Sequence, residues 1–147
     1  MVTAGPDIVV LFEEQARAGA GFDIRALHGL TDALAVRLGL QGAWLPASAD
    51  TNTFVVAPSL ALGLSADVLN LVPFAEAGIV LADVRSSGLP ARLRLGGQLA
   101  AGVDYLLSRH LTVTAVAHAD YLPLRLAGDG ASTPAEIALA LHLGYVF

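Results

Sequence analysis

Residues 91–107 read "ARLRLGGQLAAGVDYLL". Taken alternately, they fall into two unlike sets. Arg92, Arg94, Gly96, Gln98, Ala100, Gly102 and Asp104 form one; Leu93, Leu95, Gly97, Leu99, Ala101, Val103, Tyr105 and Leu107 form the other. A helix would mix these sets, whereas a strand places them on opposite faces. The glycines also argue against a helix. The fold turns on which face meets which solvent.

The same sorting recurs along the chain. In residues 33–45 the apolar face is Leu34, Val36, Leu38, Leu40 and Trp44, opposed by Ala35, Arg37, Gly39, Gln41 and Ala43. In 53–65 Phe54, Val56, Pro58, Leu60, Leu62 and Leu64 oppose Ala57, Ser59, Ala61, Gly63 and Ser65. In 111–121 Thr112, Thr114, His118 and Asp120 oppose Leu111, Val113, Ala115, Ala117, Ala119 and Tyr121. The last eleven residues, "IALALHLGYVF", set Ile137, Leu139, Leu141, Leu143, Tyr145 and Phe147 against Ala138, Ala140, His142, Gly144 and Val146. Around residues 72–85 Glu76 and Asp83 occupy opposite phases, which predicts a bulge or a strand end there.

Composition says what covers the apolar face. The chain has 147 residues, mean hydropathy +0.65, 55% hydrophobic and 14% charged residues. Soluble domains carry about 25% charged residues, so a medium other than water covers part of this surface. No run is long and apolar enough for a spanning helix, which needs about 20 residues. The longest uncharged stretch, 51–66, contains Pro58 and several hydroxyls. A closed β-barrel is the other structure that satisfies its backbone within lipid. The net charge is −5, so a basic stripe for nucleic acid is absent. Without cysteine, disulfides, thiolate metal sites and thiol catalysis are excluded. The N-terminal residues lack the basic region and the apolar length of a signal peptide. A mature form, its signal removed and a Met added, is therefore expected.

Turn-type clusters separate seven strands at 134–147, 111–125, 91–107, 72–85, 53–65, 33–46 and 17–27. Closed single-chain bacterial barrels have an even number of strands, so an eighth is expected near Ile8 to Glu14. The fold class is all-β: one eight-stranded antiparallel up-and-down transmembrane barrel domain over residues 1–147. Tyr105, Tyr145 and Phe147 are expected in one interfacial aromatic belt, and Trp44, Phe54 and Tyr121 in the other.

These residues resemble the small bacterial outer-membrane barrels of the OmpA/OmpX-like type. In that family the last strand ends in an assembly signal: a terminal aromatic, a second aromatic or apolar residue two before it, and a Gly five before the end. Phe147 and Tyr145 match, while His142 stands where the Gly would be and Gly144 is displaced. The resemblance implies recognition of this strand by the outer-membrane insertion machinery, a C-terminus on the periplasmic side and longer loops outside. It implies outer-membrane lipid as the main partner. The loops are short for the family, which lowers an adhesive or receptor role.

The inward face collects Asp23, Arg25, Arg37, Gln41, Glu76, Arg92, Arg94, Gln98, Asp104, His118, Asp120, Glu136 and His142. Buried charges are costly unless paired, so a lumen ion-pair network is expected. Arg92 or Arg94 would meet Asp120 or Glu136, with His118, in the outer half. Arg25 or Arg37 would meet Asp23 or Asp104 in the inner half. Catalysis by His118, Asp120 and Glu136 is the competing reading. Their outward neighbours Ala117, Ala119 and Tyr121 are inert, and the nearest hydroxyl, Ser132, sits in a loop. A metal site from His118, His142 and Asp120 is disfavoured because the two His differ in height. "GDG" at 128–130 reads as a turn rather than a calcium loop. The resulting expectation is a monomeric, non-catalytic outer-membrane barrel with a structural or interaction role, a plugged lumen and no cofactor. The alternatives are a narrow pore, a lipid-modifying enzyme, and a soluble lipocalin-like barrel with its apolar stripes turned inward.

Overall fold

The computed structural model describes residues 1–13, 16–46, 52–128 and 134–147. Eight strands follow one another: β1 (Val2–Phe12), β2 (Ala16–Gly29), β3 (Leu34–Leu45), β4 (Thr53–Ser65), β5 (Leu71–Ser86), β6 (Arg92–Leu106), β7 (Leu111–Ala127) and β8 (Ala135–Tyr145). Each pairs antiparallel with its sequence neighbour, and β1 pairs with β8 to close the barrel. The structure is an up-and-down barrel with no sheet edge.

Alternation maps onto two environments. Ile137, Leu139, Leu141, Leu143 and Tyr145 are exposed, while Ala138, Ala140, His142 and Gly144 are buried. Leu99, Leu38, Leu40, Leu60 and Leu62 project outward, whereas Arg94, Gln98, Asp104 and Arg37 project inward. The stripes therefore face away from the lumen, opposite to what a soluble lipocalin-like barrel requires. Trp44, Phe54 and Tyr121 lie on the outer surface toward one end, and Tyr105, Tyr145 and Phe147 toward the end that holds both termini. At that second end Tyr145 stacks on His110 and meets Phe147 edge-on.

Two expectations need correction. The first strand begins at Val2 rather than Ile8 and ends at Phe12. Its loop-side inward residues, Val9 and Leu11, are as apolar as its outward ones, so alternation is invisible there. Of the bulge or strand end expected in β5, the bulge is absent, because the register with β4 does not shift between Thr53↔Ser86 and Ser65↔Phe74. Glu76 faces the lumen, and Asp83 faces outward near the strand end, bonded by Arg85 at 2.6 Å. The register shifts lie between β6 and β7, at Leu93/Arg94 and Leu95/Gly97.

The lumen is layered. Its loop side, away from the termini, is packed with Val9, Leu11, Leu45, Val55, Val80, Val84 and Leu122. The middle holds the charged and amide side chains. A small apolar group, Phe74, Ala100, Val116 and Ala140, lies toward the terminal end. Gly102 makes room for that group: a Cβ there would come within 2.6 Å of the Phe74 ring.

Candidate functional site

The mid-lumen network is centred on Arg25. Its Nε donates to Asp23 Oδ2 at 2.6 Å, its Nη1 to Glu76 Oε1 at 2.7 Å and its Nη2 to His118 Nδ1 at 2.9 Å. One guanidinium thus ties β2 to β5 and β7 across the barrel. The second Glu76 oxygen meets Arg37 Nε at 3.0 Å, and the Arg37 guanidinium lies 4.2 Å from the Phe74 ring centre. A planar, multiply donating cation suits this role better than lysine would. The chain's basic residues are all arginine.

Below this hub, toward the termini, Thr114 donates to Asp104. His142 Nδ1 meets Thr3 Oγ1 at 3.3 Å, and its Nε2 lies 3.6 Å from Asp23. To one side Gln41 donates to Asp7 at 2.6 Å. At the loop-side rim Arg17 donates to Thr53, which hydrogen-bonds Ser86.

A second cluster sits between the hub and the apolar layer. Asp120 on β7 lies directly opposite Glu136 on β8 and opposite Gln98 on β6. His118 is two residues from Asp120 and shares its inward face. His118, Asp120 and Glu136 each offer a ligand atom, and these atoms all lie within 4.8 Å of one another. Gln98 faces Asp120 across the β6–β7 pairing.

The expected pairings divide. Arg25 takes Asp23, but Arg37 takes Glu76 in place of Asp23 or Asp104. Arg92 pairs with Glu13 at 3.2 Å, not with Asp120 or Glu136. It is the first residue of β6 and sits at the rim, above the apolar layer that separates it from those carboxylates. Arg94 is buried. Among the described residues, valine and leucine side chains fill much of the loop-side half, with the Arg92–Glu13 pair at its rim. Ser132 and most of the 128–130 turn lie outside the described residues. His142 is turned toward Thr3 and Asp23, away from the His118 cluster. Asp7 and Thr3 escaped the sequence reading, lost with the true start of β1; Glu13 was not read as a partner of Arg92, and Glu76 was recognised as inward but not as the hub's shared acceptor. The phase Thr3, Gly5, Asp7 carried a signal for the first two.

No protein-family model matches the chain, and no curated protein matches it. Solved structures do match in fold. Neisserial surface protein A superposes with a TM-score of 0.77 at 14% identity, over 97% of this chain and 95% of that one. The attachment invasion locus protein Ail of Yersinia pestis, solved with the heparin analogue sucrose octasulfate, gives 0.71 at 13%, over 99% and 96%. The outer-membrane enzyme PagL gives 0.58 at 13% identity, over the whole of both chains. The fold is that of the small eight-stranded outer-membrane barrels.

Proposed function

We propose that this chain is an integral protein of a bacterial outer membrane, with a structural or interaction role and without catalysis. The observation that carries the reading is the inversion of an ordinary globular protein. Large apolar side chains cover the outside, and the buried polar groups bond one another inside. Water does not favour so broad an exposed apolar belt, and a bilayer does. The two aromatic groups on the outer face suit the two interfaces. The shared fold supports the membrane assignment. The short turns and both termini lie at one end, which we assign to the periplasm.

The lumen supports a closed barrel over a pore. Eight strands enclose a space that side chains just fill, and here an apolar layer lies over a cross-linked charged one. The absence of a catalytic role is supported by the inward aim of His118, Asp120 and Glu136, away from any acyl chain in the membrane. Cell fractionation and vesicle flotation test the location. Recovery of the protein from the soluble fraction, monodisperse without detergent, would overturn the membrane reading. Hydrolysis of a purified lipid by the protein, lost on Asp120→Asn, would overturn the non-catalytic one.

A further inference from the structure

We propose that His118, Asp120 and Glu136 form a buried site for one divalent transition-metal ion of the zinc class. Each residue brings one ligand atom within 4.8 Å of the others, and the open atoms are His118 Nε2, Asp120 Oδ1 and Glu136 Oε1. Each is buried and has no hydrogen-bond partner. The residues are 3%, 3% and 1% exposed. Buried polar atoms are rarely left so, and three in one cluster point to a ligand.

The charge balance has the same sign. Among the described residues six carboxylates are buried: Asp7, Asp23, Glu76, Asp104, Asp120 and Glu136. Three guanidiniums accompany them, those of Arg25, Arg37 and Arg94. A dication between Asp120 and Glu136 reduces that excess where two carboxylates face each other. One imidazole with two carboxylates suits zinc or a similar ion better than calcium, which takes oxygen ligands alone.

The geometry needs a small contraction. His118 Nε2 and Glu136 Oε1 are 4.0 Å apart, against about 3.4 Å between ligands on a tetrahedral ion with bonds near 2.1 Å. Side-chain rotation on two paired strands covers that difference and leaves a fourth position for water. Loading also changes the hub. Arg25 donates to His118 Nδ1, so the neutral ring carries its proton on Nε2. A metal on Nε2 requires that proton on Nδ1, which opens the Arg25 contact. Arg25 retains Asp23 and Glu76.

The test is refolding in detergent with and without one equivalent of zinc. A brief chelator wash, metal analysis by mass spectrometry and a histidine NMR spectrum follow. About one retained zinc per chain is expected, with the His118 proton moved to Nδ1. Glu136→Gln and Asp120→Asn keep the side-chain shape, and each should weaken retention roughly tenfold or more. The double variant His28→Ala/His110→Ala, which removes the two exposed histidines, should retain zinc like the parent. Three results would overturn the site: no zinc retained by the parent, undiminished retention by Glu136→Gln, or loss of retention in the surface-histidine variant. In the first case a trapped water, or a proton shared by the carboxyls, satisfies the cluster instead. None of these outcomes bears on the membrane reading.

Discussion

Glu76 shows how much can rest on one buried carboxylate. Its two oxygens receive Arg25 and Arg37 from two different strands. Removing one partner of a buried ion pair costs about 3–5 kcal/mol, because the other charge is left uncompensated. Glu76→Ala is therefore expected to destabilise the barrel by about that amount, read as a lower urea midpoint in Trp44 fluorescence. Asp83→Ala, which breaks an exposed pair at a strand end, should cost under about 1 kcal/mol. Equal costs would contradict the hub. Gly102 makes a steric case: Gly102→Val drives a methyl into the Phe74 ring, and Arg37 loses the face it lies on. A loss of about 1–3 kcal/mol is expected from such overpacking.

At the level of the strand, alternation was legible because lipid and lumen make opposite demands on successive residues. Five strands could be sorted by period, and turn-type clusters marked two more. The eighth could not be delimited, because Val9 and Leu11 point into an apolar layer and erase the contrast with Ile8 and Val10. Partners across the lumen were less legible. Residues 25, 76 and 118 meet only because barrel closure carries β2 within reach of β5 and β7, and one sequence does not encode that distance in any short motif. Two consequences belong here. Leu99→Arg or Leu139→Arg places a charge in the outer apolar belt near mid-strand and should cost about 2–4 kcal/mol. Gln98→Arg, one residue away but facing Asp120, should cost far less; urea titration in lipid vesicles compares them. Phe147→Ser removes an exposed aromatic beside Tyr145 and should lower outer-membrane yield in cells more than refolding in vitro. Equal yields in cells would remove the assembly role proposed for Tyr145 and Phe147.

For the molecule as a whole, the layered interior predicts electrical silence. Purified protein in a planar bilayer should show no steady conductance, because an ion crossing the lumen meets an apolar layer of Val9, Leu11, Leu45, Val55 and Leu122. Replacing Leu11, Leu45 and Leu122 together by Ser should raise the frequency of small openings. A large, always-open current in the unmodified protein would overturn the closed reading. The seam between β1 and β8 has a different consequence, one of timing. Val2 pairs with Tyr145 and Phe12 with Ala135, so the cylinder is completed by the two segments farthest apart in sequence. Every other neighbouring pair can zip locally, but this one pays the largest loop-closure entropy. Until it forms, the sheet is an open ribbon with two unsatisfied edges. Such a ribbon is prone to self-association, so the chain must be shielded between synthesis and the moment its last strand docks.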